Sequence, residues 1–314
     1  MPSTGLHHVT AIAGDPRRHR DFYARILGLR LVKRTVNFDD PGTWHLYWGD
    51  EAGSPGTILT HFPWVQGAPG RAGTGETRET ALAVPQGAIG AWIGRLAENG
   101  VAYDPPVTRF SRTVVPFADP DGMRYALVGV PGLETAPAYD GGGVPASDAI
   151  RGVDAVTLAV PAIAPTARVL EEVFGMRRVG EEGEGRGMRV RFEGEARIGA
   201  GVELVVEDGP APRLGRGSVH HVAFRAADDA AQADMVARLR GLGIAATEQK
   251  DRNYFRSVYF REPGGVLFEI ATDDPGFAID EAPGALGTTL KLPPPLESRR
   301  AAIEAVLPSL GDAP

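Results

Sequence analysis

Apolar residues along the chain switch between a period of about two and a period of about 3.6, and the switch recurs four times. Each recurrence opens with an apolar extended run. It continues into a segment with apolar residues at helical spacing and ends in three short strand-like runs near a Gly-rich turn. The first opens at residues 6–13. Its helix is predicted over 16–27, with Phe22, Tyr23 and Ile26 inward, Gly28 as a stop and a closing run at 56–60. The second opens at 80–85, sets Ile89, Trp92, Ile93 and Leu96 on a helix ended by Asn99-Gly100, and closes after Asp119-Pro120-Asp121-Gly122. The third opens at 152–161, anchors its helix with Val169, Leu170 and Val173, and closes at 201–206. The fourth opens at 219–225, uses Val236 and Leu239 as helix anchors, and turns through Glu262-Pro263-Gly264-Gly265 into 266–272.

Four such units imply repeated supersecondary structure. Each unit has one helix to cover one face of a small curved sheet, so the other face needs a partner. The expected fold class is therefore α+β, with four βαβββ units paired into two barrel-like modules. Residues 1–135 hold the first two repeats and 150–272 the last two, with a linker at 136–148 that contains Gly141-Gly142-Gly143. Residues 273–314 read as a Pro/Gly-rich tail with a short helix near 296–307.

Composition narrows the chemistry. The chain has 314 residues, 43% hydrophobic and 23% charged, enough for a sizeable globular core. A net charge of −7 argues against nucleic acid and anionic membranes as partners. No run approaches the ~18 apolar residues of a spanning helix. Met1-Pro2-Ser3-Thr4 lacks a basic start and an apolar signal core, which predicts an unprocessed, cytoplasmic protein. There is no cysteine. Any metal must therefore be held by His and carboxylate.

Two His-His pairs stand at the start of opening strands: His7-His8 in the first repeat and His220-His221 in the fourth. Strand alternation puts His8 and Thr10 on one face, with His7 and Val9 on the other. His221 and Ala223 share a face by the same rule. In the closing strand Val266, Phe268 and Ile270 pack under the helix, so Glu269 points into the barrel. Comparison of the repeats sets Thr80 and Ala155 opposite the two histidines, and Thr60, Ala126 and Val205 opposite Glu269. A lone buried carboxylate is costly, and a divalent cation is the simplest compensation. The plainer alternative pairs Glu269 with an arginine, Arg252 being the candidate. His19 reads as packing or surface; His45 and His61 lie on strands of repeat one, where His45 is a candidate to face the cavity but the structural reading is favoured. Residues 183–187 read as a turn, not a phosphate loop.

With these residues in view, the chain resembles the vicinal-oxygen-chelate superfamily. It is most similar to the branch of two-domain, iron(II)-dependent dioxygenases that cleave the ring of para-hydroquinones. The resemblance is carried by Gly5-Leu6-His7-His8-Val9-Thr10, Phe22-Tyr23-Ala24-Arg25-Ile26-Leu27-Gly28-Leu29 and Lys33-Arg34-Thr35-Val36-Asn37-Phe38-Asp39-Asp40-Pro41. It continues in Trp44-His45-Leu46-Tyr47-Trp48-Gly49-Asp50, Gly217-Ser218-Val219-His220-His221-Val222-Ala223-Phe224 and Asp251-Arg252-Asn253-Tyr254-Phe255-Arg256-Ser257-Val258-Tyr259-Phe260. It implies a ferrous ion ligated by His8, His221 and Glu269, a site that Mn, Zn or Ni can also fill. It implies catalytic roles for Tyr259, His220 and Arg252, with Thr10 and His7 around the substrate.

The expected reaction takes an aromatic substrate and dioxygen and opens the ring beside a hydroxyl. A catechol-type extradiol enzyme, a glyoxalase-type metal-dependent lyase or isomerase, and a non-enzymatic binder of small molecules are the rival readings. Oligomeric state is left open, a homo-oligomer included. Because His8 must reach His221 and Glu269, repeats one and four should share one barrel. Repeats two and three should form a second, with an apolar or small-residue interior and no metal.

Overall fold

The computed structural model describes residues 5–183 and 187–311. Met1-Pro2-Ser3-Thr4 and the middle of the 183–187 turn lie outside them. Repeat one supplies β1 (Leu6–Ala13), β2 (Arg30–Asn37), β3 (Asp40–Gly49) and β4 (Ile58–Pro63). Repeat two supplies β5 (Glu76–Pro85), β6 (Val107–Arg109), β7 (Arg112–Ala118) and β8 (Arg124–Val130). Repeat three supplies β9 (Gly152–Val160), β10 (Arg177–Glu182), β11 (Arg189–Glu193) and β12 (Gly201–Val206). Repeat four supplies β13 (Ser218–Ala226), β14 (Lys250–Asp251), β15 (Phe255–Arg261) and β16 (Leu267–Pro275).

These strands form two eight-stranded sheets. One runs β14-β15-β16-β13-β1-β4-β3-β2 and the other β10-β11-β12-β9-β5-β8-β7-β6. Repeats one and four therefore share a sheet, as do two and three. Repeats one and two divide between the two sheets, and so do repeats three and four. Within every repeat the opening strand runs parallel to the closing strand, and the seam between repeats is antiparallel. The expected α+β arrangement of paired βαβββ units is the one that forms.

The helices follow the apolar stripes, with three differences. The first begins as α1 (Pro16–Arg20), capped by the Asp15 carboxylate, and then widens into a π-helical turn over Asp21–Ile26. Leu27 N–H bonds the Phe22 carbonyl at 2.9 Å, and Phe22, Tyr23 and Ile26 all remain buried. α2 (Ile89–Glu98) and α3 (Ile163–Glu172) bury their predicted anchors, except that Ile93 is only half-buried. In α4 (Asp229–Gly241) the buried anchors are Met235 and Leu239, while Val236 is half-buried. The largest apolar core draws on all four helices and both sheets. The tail forms α5 (Pro294–Glu297) and α6 (Arg300–Val306), and buries Leu292 and Ile303 against Val36 of β2. No helix is long and apolar enough to cross a membrane among the described residues.

His19 is a core residue and not a surface one. Its Nε2 lies 2.7 Å from Asp121 Oδ2, tying α1 of repeat one to the β7–β8 turn of repeat two. Beside it His61 is fully buried, packed on Tyr23 with 4.4 Å between ring centroids, and neither ring nitrogen has a partner among the described residues. Burial first, then the neighbouring His19 and His45, push its pKa well below the usual histidine value. The unfolded chain thus binds a proton near pH 6.5 that the folded chain refuses. His61 costs stability as pH falls below about 6.5, by up to ~1.4 kcal/mol per pH unit until its folded pKa is reached. His61→Leu should therefore flatten the acid limb of stability between pH 7 and 5. Urea titrations at the two pH values check this; an unchanged slope contradicts it.

Candidate metal centre

The seam between β1 and β13 builds the site. Its register slips between Leu6 and His8 and again between Thr10 and Ala11. The extra residues at these two bulges are His7 on β1 and His220 on β13. A bulge sets two successive residues toward one side of the sheet. Simple alternation therefore fails here: His7 does not turn away with Val9 but meets its neighbour. His7 Nδ1 lies 2.8 Å from His8 Nδ1, and His220 Nδ1 lies 2.8 Å from His221 Nδ1. His7 also stacks toward Phe255, with 5.2 Å between rings.

The Nε2 atoms of His8 and His221 face each other at 3.3 Å. Glu269, carried by β16, brings its Oε2 to 2.8 Å from His221 Nε2 and 3.4 Å from His8 Nε2. Ser257 donates to the other carboxylate oxygen. All three residues are buried, and they are the one His/acid group with metal-binding geometry among the described residues. Glu269 Oε2 is covered yet accepts no aligned hydrogen bond, despite the closeness of His221. Burial opposes the charge of Glu269, but the imidazoles of His8 and His221 hold its pKa well below the usual carboxylate range. Burial keeps His221 neutral, so its Nε2 can offer a lone pair.

These donors fit a divalent cation. Three ligands on one face of an octahedral ion, with bonds of about 2.1 Å, stand about 3 Å apart. The observed separations of 2.8, 3.3 and 3.4 Å bracket that figure. With Nε2 of each histidine given to an ion, each Nδ1–H would donate to the paired His7 or His220. That neighbour fixes the ring and its tautomer, as outer partners of metal-ligating histidines do.

The second sheet supplies an internal control and a correction. Its seam also slips, between Thr77 and Glu79 and between Ala81 and Leu82. Counting from the bulges, His8 corresponds to Glu79 and not to Thr80, while His221 corresponds to Ala155. Glu269 pairs with Ala223 and Glu203 with Thr157, so Glu269 corresponds to Glu203 and not to Val205. The expected apolar interior is present only as Ala81, Val114, Ala126 and Val128. The rest is a buried ion-pair network. Arg109 pairs with Glu79, Arg112 with Asp154 at 2.7 Å, and Arg191 with both Asp154 at 3.0 Å and Glu203 at 2.8 Å; Arg189 also holds Glu203. Arg191 stands opposite Glu203 where Tyr259 stands opposite Glu269. In one sheet arginines neutralise the buried carboxylates. In the other, Glu269 has no arginine partner among the described residues and faces two imidazoles.

Above the triad lies a cavity of about 240 Å³. His220, Arg252 and Tyr259 line it, as the sequence suggests. Thr10 and His7 do not border it; both are buried, and Thr10 Oγ1 accepts from Thr60 Oγ1 at 3.0 Å. Arg252 does not pair with Glu269. It reaches Asp39 at 3.1 Å and donates from Nε to the Tyr259 hydroxyl at 3.3 Å, with the guanidinium over that ring. Burial works against its charge, but Tyr259 and Asp39 keep it firmly protonated. Burial first, then the charge of Glu269, raise the Tyr259 phenol, so it remains a donor. Burial and His221 push His220 down to about 3, leaving it neutral.

His45 and Tyr47 also line the cavity, so the less favoured of the two readings of His45 is the one that holds. The signal lay in Trp44-His45-Leu46-Tyr47, where alternation sends Trp44 and Leu46 to the core and the other two to the opposite face. Thr60 Oγ1 donates onward to Thr10, so His45 Nε2–H donates to Thr60 at 2.7 Å. His45 Nδ1 then accepts from the Tyr47 hydroxyl at 2.9 Å. Phe38, Phe62, Trp64 and Phe255 complete the walls.

Comparison with known proteins agrees with this architecture. The family model described as Glyoxalase/Bleomycin resistance protein/Dioxygenase superfamily matches residues 5–127 and 152–270. The Bacillus subtilis (strain 168) protein named "Putative ring-cleaving dioxygenase MhqO" is 44% identical over 300 residues, 96% of this chain and 94% of that one. The Sphingobium indicum protein named "Chlorohydroquinone/hydroquinone 1,2-dioxygenase" is 32% identical over 300 residues, 93% and 92% of the two chains. A crystal structure of a Bacillus subtilis protein described as a "putative dioxygenase" superposes with a TM-score of 0.92 at 42% identity, covering 99% of each chain. Glyoxalase I from Zea mays shares the fold at a TM-score of 0.64 and 15% identity, covering 86% of this chain and 92% of that one. Two sheets of paired βαβββ units, matched over most of their length by a family model and by close relatives, have one reading: the chain belongs to the Glyoxalase/Bleomycin resistance protein/Dioxygenase superfamily.

Proposed function

We propose that this chain is a non-haem iron(II)-dependent dioxygenase that cleaves the ring of para-hydroquinones, with His8, His221 and Glu269 as the metal ligands. The observation that carries the reading is Glu269: a buried carboxylate with no arginine, facing two imidazole nitrogens at the floor of an aromatic cavity. The name of the Sphingobium indicum relative supports the hydroquinone substrate, and the Bacillus subtilis names support ring cleavage. Bound there, ferrous iron supplies open positions for a substrate oxygen and dioxygen and a path for electrons between them.

The chain's own residues do the rest. Phe38, Phe62, Trp64 and Phe255 enclose a space suited to one ring with small substituents and keep bulk water from it. Tyr259 donates a hydrogen bond to a substrate oxygen, and Arg252 offsets negative charge on an anionic ring or on the acid product. His220, with Nδ1 turned to His221, keeps its proton on the far nitrogen and is set to donate. A cytoplasmic setting suits the reading, because ferrous iron persists under reducing conditions.

The test is oxygen consumption after anaerobic iron loading, against hydroquinones, catechols and gentisate. The account predicts one dioxygen consumed per hydroquinone and an acyclic acid as product. Faster uptake with catechol would assign a conventional extradiol enzyme. No uptake with any ring would leave the glyoxalase-type or simple binding readings.

A further inference from the structure

A second cavity, of about 620 Å³, shares no lining residue with the one above the triad. Three stretches far apart in sequence enclose it: the first helix with β2, the Gly-rich linker, and the tail near Leu286. The linker and tail are pressed on so closely that only glycine fits. A Cβ on Gly142 would fall 2.4 Å from the Gly28 carbonyl oxygen, and one on Gly287 would fall 1.8 Å from that of Leu31. The perimeter is thus fixed by backbone contact, and the space left inside it is a built feature of the fold.

Four arginines line this space: Arg20, Arg25, Arg30 and Arg34. Asp21 holds Arg25 at 2.7 Å, and Glu51 holds Arg30 at 2.6 Å. Arg20 reaches the carbonyls of Leu310 and Gly311. Arg34 has neither a carboxylate nor a hydrogen-bond partner for its guanidinium among the described residues, and its Nε is covered. Glu281 acts on it from a distance, but that carboxylate already accepts from Lys33 at 2.5 Å and from Thr289 at 3.2 Å. Burial and the like charge of Arg20 both disfavour the Arg34 cation. A partly buried cation beside another cation, with no counter-charge of its own, is an anion site by elementary electrostatics. The other walls are mixed: Leu29, Leu31 and Leu286 supply apolar surface, with Trp48 buried behind them, and Tyr139 and Thr288 add polar groups. The volume also far exceeds what a bare inorganic anion fills.

We infer that this cavity binds an organic oxyanion, its carboxylate or phosphate head on Arg34 and its apolar body against Leu29, Leu31 and Leu286. The site is separate from the metal centre and does not depend on the reaction proposed there.

Isothermal titration of the full-length, metal-loaded protein tests it with three probes: 2-naphthoate, its neutral amide and inorganic phosphate. The expected result is saturable naphthoate binding, with the amide at least tenfold weaker and phosphate weaker than naphthoate. Arg34→Gln should weaken naphthoate at least tenfold. Because Arg34 has no partner to lose among the described residues, that variant should melt no lower than the wild type without ligand, and naphthoate should raise only the wild-type melting temperature. Equal naphthoate affinity in variant and wild type, or no saturable binding in the millimolar range, would overturn the site. Phosphate binding as tight as naphthoate, both lost in Arg34→Gln, would overturn the apolar body and leave an inorganic-anion site. A variant that melts lower without ligand would overturn the premise that Arg34 is uncompensated.

Discussion

Glu269→Ala is expected to abolish iron retention and oxygen uptake while leaving the fold intact, and Glu203→Ala is expected to do nearly the reverse. The two carboxylates occupy equivalent positions in the two sheets. Glu269 is compensated only by two imidazoles and the Ser257 hydroxyl, so its removal strands no cation. The equivalent position in repeat two is already Ala126, which the same scaffold accommodates. Loss of a ligand from a three-ligand site should cost more than the ~10–100-fold that loss of an outer partner costs. Glu203, by contrast, holds Arg189 and Arg191. Its removal leaves Arg189 without a carboxylate, while Arg191 keeps Asp154 and Glu193, so the cost should approach the lower end of the about 3–5 kcal/mol for breaking a buried pair. Iron content and urea midpoints of the two variants check both halves. A Glu269→Ala protein with stoichiometric iron and turnover would reject the ligand assignment and turn attention to His7 or His220.

Tyr259→Phe should lose more activity on hydroquinone than on any catechol the enzyme accepts. A catechol can chelate through two adjacent oxygens. A hydroquinone offers a metal one oxygen, so its far hydroxyl must find protein partners. Tyr259, Arg252 and His220 are the polar groups around the cavity suited to that work. A hydrogen bond lost next to a charged group is worth about 1.5–3 kcal/mol, or roughly 10–150-fold. The phenol stays protonated, because burial and Glu269 raise its pKa, and it also holds Arg252 Nε at 3.3 Å. Part of the loss should therefore appear as weaker orientation of an anionic substrate by Arg252. Steady-state oxygen uptake on both substrates decides the matter. An equal loss on both, or a wild-type preference for catechol, would contradict the assignment.

Much of this was legible in the sequence because two signals reinforced each other. Apolar periodicity gave the four repeats and their helices, and three ligand-type residues stood out on strand starts. The pairing of repeats one and four followed from the need to bring His8 to His221 and Glu269. What the sequence hid was register. A bulge inserts one residue without a compositional mark, so neither the meeting of His7 with His8 nor the equivalence of His8 with Glu79 could be counted from alternation. Glu203 is hidden differently: β12 pairs β9 and β16 pairs β13 without a slip, and a two-residue shift of the closing strand keeps the same alternation, so the pattern alone does not choose between Val205 and Glu203. Arg252 near Glu269 in sequence suggested a pair, but β15 turns its partner Tyr259 toward it and Asp39 arrives from a hairpin over 200 residues earlier. His45 was set aside because a single strand histidine carries little information; its chain to Tyr47, Thr60 and Thr10 exists only once β3 and β4 pair.

The central claim is that one ferrous ion is held jointly by residues from both ends of the chain. Crystallography of the anaerobically iron-loaded protein, with anomalous data collected at the iron edge, tests it most directly. The account predicts one iron peak per chain within ligand distance, about 2.0–2.2 Å, of His8 Nε2, His221 Nε2 and a Glu269 oxygen, and none in the second sheet. Iron bound by His7 or His220, iron shared between Glu79 and Glu203, or His8 on one ion with His221 and Glu269 on another would contradict it.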